Sequence, residues 1–396
     1  MQLVERHIRL KDKAIEDICF KCARLYNFCN YYKRQSYFGG VEKFGEYELS
    51  KLLAEFNQED YRALPIQTSQ QVIKLLFKNW KSFFASQKDF KKSPSKYKGK
   101  PKPPKYKDKK GFGICIFTGQ QIKMKGEFIL FPKQTKIKPL KTKVDKVAQV
   151  RIIPQASCFV IEVIYERKIT VNENIKKENI LAIDLGLNNL ATSINNVGLR
   201  PFIINGKVLK SVNQMFNKTK AKLMSYIGNR GNSNRINKLT HYRNNFIEDK
   251  IHKTSRFIID YCIENKIGTI VIGHNKQWKT AINIGNSNNQ KFVNIPHSKL
   301  IDKVRYKAEL AGILVIENEE SYTSTIDHLA FEPMQKQDSY LGKRKKRGLF
   351  QSSINKLINA DINGAIGIAR KVFGDSVVTQ IINSGLAFNP YKVNIL

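Results

Sequence analysis

The chain has 396 residues, with 69 Lys and Arg against 33 Asp and Glu, a formal net charge of +36. Hydrophobic residues at 41% and aromatics at 10% suffice to bury a core, which excludes wholesale disorder. A charge of this size repels itself in a lone compact protein, so a polyanionic partner is expected, nucleic acid first.

The length fits two to three domains of about 150 residues. No run of about 18 consecutive apolar residues occurs, so no membrane-spanning helix is expected. The N-terminal MQLVERHIRLKDK lacks the apolar region of a secretory leader, and the chain reads as intracellular.

In chain order, residues 14–37 predict a helix rich in Tyr, Phe and Asn. Its Cys19, Cys22 and Cys29 read as small apolar residues on one face; the single C-x-x-C has no second pair to complete a zinc site. A second helix is expected over 67–90, with Val72, Leu75, Leu76, Asn79 and Phe83 recurring at near-helical spacing. Residues 91–110, KKSPSKYKGKPKPPKYKDKK, change character: the prolines remove donors and disfavour helix. The segment reads as an ordered basic strap. Lys96, Lys98, Lys100, Lys102, Lys105 and Lys107 would contact phosphates, with Tyr97 and Tyr106 stacking on bases or sugars. Residues 112–170 break into short β-like runs that suggest a small barrel or sheet.

The remainder reads as β-β-β-α-β-α-β-α. Its strands are ILAIDLG, LATSI, PFIING, IGTIVIG and LVIENEE. Its helices lie over about 209–265, over 296–311 and from INADINGAIGIARKV. This is the order of a ribonuclease H-like fold, whose parallel strands are buried on both faces and so appear as continuous apolar runs. Acids are scarce, which makes two of them conspicuous. Asp184 ends the apolar Leu181-Ala182-Ile183, and Asp361 opens an Ala/Ile/Gly-rich helix. Carboxylates from different elements suit a pair of Mg²⁺ ions, which hydrolyse phosphodiesters by activating water and stabilising the leaving oxygen.

Several segments, in this joint order, resemble the TnpB family of RNA-guided nucleases of insertion sequences. They are NWKSFF (79–84), the strap, IDLGLNNLAT (183–192), INGKVLKSVNQMFNK (204–218), Val271-Ile272-Gly273, NNQKFVNIPH (288–297), ESYTS (320–324), GKRKKRGLF (342–350) and INADINGAIGIARK (358–371). The resemblance covers nearly the whole chain. It implies a multi-domain α+β protein: a wedge-like β-barrel from 1–10 and 111–175, and a helical recognition insertion over 11–110. A RuvC-type nuclease domain would take 176–324 and 356–372, a basic insertion 325–355, and a C-terminal tail 373–396. It also implies a guide RNA encoded near or overlapping the gene, a double-stranded DNA target beside a short flanking motif, and the cytoplasm of a prokaryotic cell.

Two departures from the common family pattern matter. The second catalytic acid usually sits on the fourth strand, where this chain has Gly273. A subset carries it before the Tyr-Thr-Ser motif, which points to Glu320, with Glu317 and Glu319 as fallbacks because strand parity is open. The two Cys pairs of a zinc ribbon are missing from 325–358, so no zinc is expected; Lys343, Arg344, Lys345, Lys346 and Arg347 there would grip a strand. His274 and Trp278 read as a satisfied loop histidine and a packed indole. A compact type V CRISPR effector and a nuclease-inactive RNA-guided repressor remain alternatives. A transposase that joins DNA ends itself fits poorly, because it has no use for the strap.

Overall fold

The computed structural model describes residues 1–39, 44–169, 174–274 and 296–395. Trp278 and most of the 288–297 motif lie outside them. The chain divides into two compact units, Met1–Lys168 and Ile169–Leu396. No helix among the described residues is long and apolar enough to cross a membrane.

The first unit begins with β1 (Gln2–Arg9) and then four helices, α1 (Lys13–Phe38), α2 (Glu46–Glu55), α3 (Glu59–Arg62) and α4 (Ile66–Lys92). Asp12 starts α1 by accepting the Ala14 and Ile15 amides. Helix α4 turns Val72, Ile73, Leu76, Trp80 and Phe83 inward against the buried Cys19, Cys22, Leu25 and Cys29 of α1. All six cysteines are buried free thiols.

Strands β2 (Cys115–Thr118), β3 (Lys123–Lys125), β4 (Phe128–Leu130), β5 (Leu140–Lys141), β6 (Val147–Pro154) and β7 (Phe159–Glu166) follow. The expected barrel does not close. They form two open antiparallel sheets, β1-β7-β6-β2 and β3-β4-β5. At the β1 edge, Glu5 reaches past the end of β5 to accept the Thr142 hydroxyl (2.6 Å) and the Lys143 amide (3.2 Å). A side chain, not a backbone ladder, spans that gap.

The second unit carries β8 (Lys176–Asp184), β9 (Asn189–Asn195), β10 (Phe202–Asn205), α5 (Lys207–Ser225), α6 (Asn234–Glu264), β11 (Ile267–Gly273), α7 (His297–Leu310) and β12 (Leu314–Asn318). Next come a small sheet of β13 (Lys343–Lys346), β14 (Leu349–Gln351) and β15 (Leu357–Asn359), then α8 (Ala360–Phe373), α9 (Asp375–Asn383) and β16 (Tyr391–Val393). The large sheet has the order β12-β11-β8-β9-β10-β16, with β8, β11 and β12 parallel. Its first five strands take the ribonuclease H order. Successive residues of β8 and β11 serve opposite faces. Leu181, Ile183, Ile270 and Ile272 pack with Ile251, Ile258, Leu300 and Val304 of α6 and α7. Ile180, Ala182 and Val271 pack with Ile362, Ile366 and Ala369 of α8. Both faces are dry, which is why these strands show no alternation.

One expectation changes. The single long helix over 209–265 is broken into α5 and α6, because Gly228, Asn229 and Gly231 all adopt positive φ. The C-terminal tail is structured: α9 buries Val378 and Ile381, and β16 pairs in parallel with β10 as a sixth strand.

Candidate active site

Strand β8 delivers Asp184 at its last residue. Beside it, Ile272 of β11 pairs with Ile183, so Gly273 falls at the same end of the sheet. On the next strand, Gly273 pairs with Asn318, the last residue of β12. Glu320 lies two residues further, where the chain turns: its carbonyl accepts the Thr323 amide (3.2 Å) and hydroxyl (2.9 Å). The turn brings the Glu320 side chain back over Gly273. A Cβ on Gly273 would stand 2.7 Å from Glu320 Oε1 and 2.8 Å from its Cγ. The space left by the missing side chain of Gly273 is filled by Glu320.

Asp361 comes from the first turn of α8. Asn359 caps that helix, accepting the Asp361 amide at 2.9 Å, and Asn189 of β9 donates its amide to Asp361 Oδ2 at 2.6 Å. Helix α8 passes close to β8: a Cβ on Gly364 would be 2.9 Å from Asp184 Oδ2.

The electrostatics tie the three acids together. The Asp184 carboxyl is pushed up to about 8, by burial first and then by the charges of Glu320 and Asp361, with the Arg344 guanidinium pulling partly back. Burial, with Glu319 nearby, lifts Glu320 to about 7. The two fallback acids are otherwise engaged. Glu317 forms an ion pair with Arg305 and faces His274 Nδ1 at 3.6 Å. Glu319 is exposed and held by Lys371 Nζ at 2.7 Å, which keeps its carboxyl below the usual range. His274 donates its backbone amide to Asn318.

Among the described residues, no three ligating side chains stand close enough to make a preformed metal cage. The donor set nevertheless suits a hard divalent cation. It is all carboxylate oxygen, and two of its members are held in the protonated direction, Asp184 by burial and the charges of Glu320 and Asp361, Glu320 by burial and Glu319, an excess of negative charge that a cation would offset.

The insertion after Glu320 is organised by buried carboxylates. Asp327 accepts Ser352 Oγ (2.8 Å), the Ser353 amide (2.7 Å) and Ser353 Oγ (2.9 Å). Glu332 accepts the Asp327 and Leu341 amides. Arg370 of α8 donates to the Phe331 and Glu332 carbonyls. His328 packs beneath Gly367 and meets the Thr323 carbonyl through Nε2 at 2.9 Å. This network fixes the base of the β13–β14 hairpin, which presents Lys343, Arg344, Lys345, Lys346 and Arg347, all exposed.

In the first unit the strap is anchored along α1. Asn27 exchanges two hydrogen bonds with the Lys107 backbone. Asn30, fully buried, accepts from Trp80 Nε1 and donates to the Pro104 carbonyl. Arg34 donates to that carbonyl and lies over the Tyr106 ring. Lys98, Lys100, Lys102 and Lys105 point outward. Lys96 faces Asp89 at 3.5 Å, and Lys107 lies over Tyr26. Tyr97 differs from expectation: its hydroxyl donates to Asp89 (2.8 Å) and its ring packs edge-on against Phe90, so it anchors the strap and only Tyr106 is exposed for stacking.

Sequence reasoning missed Asn189, Asn359 and Lys371. Asn189 had a signal, since it follows the Asp184 strand in a polar pair, Asn188-Asn189; Lys371 had none.

Residues 160–279 match the family model OrfB_IS605, described as "Probable transposase". Residues 297–368 match the model "Cas12f1-like, TNB domain". The CRISPR-associated endodeoxyribonuclease Cas12f1 of Sulfoacidibacillus thermotolerans is 34% identical over 100 residues, 24% of this chain and 22% of that protein. The match thus spans less than a quarter of the relative. Among solved structures, a Cas12f1–sgRNA–target DNA complex gives a TM-score of 0.38 at 16% identity, covering 94% of this chain and 100% of that one. The mini-RNA-guided endonuclease CRISPR-Cas_phi3 gives 0.42 at 9% identity, covering 97% and 93%. These TM-scores are too low to establish a shared fold.

Proposed function

We propose that this chain, a TnpB-like relative of the type V effectors, is an RNA-guided DNA endonuclease that hydrolyses phosphodiesters with Mg²⁺. One observation supports the reading: in an acid-poor chain, Glu320 and Asp361 lie near enough to Asp184 to raise its carboxyl, at one end of a sheet in ribonuclease H order. These three would hold the metal. Bound there, Mg²⁺ supplies an activated water and a stabilised leaving oxygen. Asn189 orients Asp361, Lys371 holds Glu319 aside, and Gly273 and Gly364 leave room for Glu320 and Asp184. The +36 charge and the exposed strap lysines suit an RNA and an RNA–DNA duplex gripped by their backbones. In this reading the first unit provides the recognition surface, the segments after Lys168 the RuvC-type nuclease and its basic insertion, and the setting is a transposable element in a prokaryotic cytoplasm.

Glu320 over Gly273 weighs against a nuclease-inactive repressor, which has no need to refill that position. The test is to sequence the RNA that co-purifies with the protein and then replace its guide segment. Cutting of double-stranded DNA should follow the new guide and stop in EDTA. Cutting that ignores the guide would refute RNA guidance, and a guide-loaded protein that binds without cutting would establish the repressor.

A further inference from the structure

We propose that Lys207, Arg344 and Arg347 form a phosphate-binding subsite that holds the DNA strand one or two nucleotides from the bond being cut. This rests on the nuclease reading and extends it. The three cations surround a pocket of about 480 Å³ whose floor is the loop Gly186–Asn189 and whose wall includes Asp361. The pocket therefore opens beside the acids, with room for a phosphate and its flanking sugars.

Its cations make no close ion pair, although the Arg344 guanidinium acts on Asp184 from a distance. A neighbouring cation is engaged: Lys210 donates to Asn188 Oδ1 at 3.2 Å. Among the described residues, the side chains of Lys207, Arg344 and Arg347 make no ion pair or hydrogen bond. Three cations against one acid, Asp361, leave the lining of the cavity net positive, a charge that a bound phosphate would offset. The geometry also resists collapse. The Gly206 amide is bonded to the Asn188 carbonyl at 2.8 Å, which sets Lys207 against the pocket floor, and Arg347 sits at the tip of a hairpin whose base the Asp327 network fixes. Arginine suits such a place because its planar fork matches phosphate oxygens.

The occupant is DNA rather than RNA because the pocket shares Asp361 with the acids, and the strand lying there is the one to be cut. The surface leading away is ready for a polyanion: residues 207–247, which make α5 and the first half of α6, hold nine Lys and Arg and no Asp or Glu.

The experiment is lysine acylation read by mass spectrometry on the full chain, alone, with its RNA, and with a short single-stranded DNA. Lys253, ion-paired with Asp249 on α6, is the reference. Lys207 should become several-fold less reactive with DNA, but not with RNA alone. In parallel, Lys207→Gln and Arg347→Gln should each raise KM for cleavage more than they lower kcat. Each should also flatten the log–log salt dependence of single-strand binding by about 0.7, and Lys207→Arg should restore both. An unprotected Lys207, protection by RNA alone, or wild-type KM in both Gln variants would overturn the subsite. Protection by DNA in a protein that never cuts would remove the nuclease and leave the subsite standing; cutting with Lys207 unprotected would do the reverse.

Discussion

Replacing Gly273 by Ala adds one methyl at the point where the relocated acid folds back. Built on the present backbone, that methyl runs into Ile368 Cδ1 and stands 2.7 Å from Glu320 Oε1 and 2.8 Å from Glu320 Cγ, all well inside ordinary carbon contact at about 3.5–4.0 Å. Ile368 is buried and has little room to yield. Glu320 can swing its tip, but its Cγ must move as well, so the carboxylate leaves Asp184. The strain should cost about 1–3 kcal/mol, lowering Tm by about 2–4 °C per kcal/mol in a unit of this size. The displaced carboxylate should slow cleavage about 10²-fold, the penalty expected for a misplacement near 1 Å. The assay is single-turnover cleavage by the guide-loaded protein, with target binding measured alongside. Binding should survive. In the Glu320→Gln background, Gly273→Ala should add almost nothing, because both act through one side chain. A Gly273→Ala protein that cuts at the wild-type rate would refute the reasoning.

Asp184→Ala and Asp361→Ala should each abolish cleavage while RNA and target binding survive; wild-type cutting by either in Mg²⁺ would displace the site. At subsaturating Mg²⁺, cleavage should rise between about pH 6 and about pH 8, since protons on Asp184 and Glu320, lifted to about 8 and about 7, compete with the cation. Asp327→Ala strands three donors from Ser352 and Ser353; limited proteolysis should then nick 325–358 first, with a stability loss of about 2–4 kcal/mol. Burial lowers His328 from 6.5 to about 4, so the unfolded chain takes up a proton the folded one refuses. Its contribution is full above about pH 6.5 and falls as pH drops toward 4, by about 3 kcal/mol in all; His328→Gln should flatten that part of the Tm profile.

Much of the second unit was legible because its chemistry runs against its surroundings. Asp184 is conspicuous after three apolar residues, and the parallel strands are continuous apolar runs because helices cover both faces. Glu320 was reachable only through the resemblance, since strand parity could not separate it from Glu317 and Glu319. What separates them is tertiary: Arg305 and Lys371 occupy the other two. The strap could be read as basic and irregular, but not the inward turn of Tyr97, because Asp89 and Phe90 lie on the preceding helix. Nor could the sequence show Asn30 in α1 as a buried link between Trp80 and Pro104, since both partners lie far along the chain. The open sheets were hidden because the β-like runs do not show which edges pair, and a side chain, Glu5, bridges the gap instead; β16 was hidden because three residues carry no periodicity.

The central claim is that Glu320 completes the acid set on the gap left by Gly273. Its most direct measurement is single-turnover DNA cleavage in saturating Mg²⁺ by guide-loaded Glu320→Gln beside Glu317→Gln and Glu319→Gln. The swap keeps shape and removes charge. Glu320→Gln should lose far more than the 10–100-fold typical of an outer-shell partner, with target binding intact, and the other two should stay within about tenfold of wild type. Wild-type cleavage by Glu320→Gln would contradict the account.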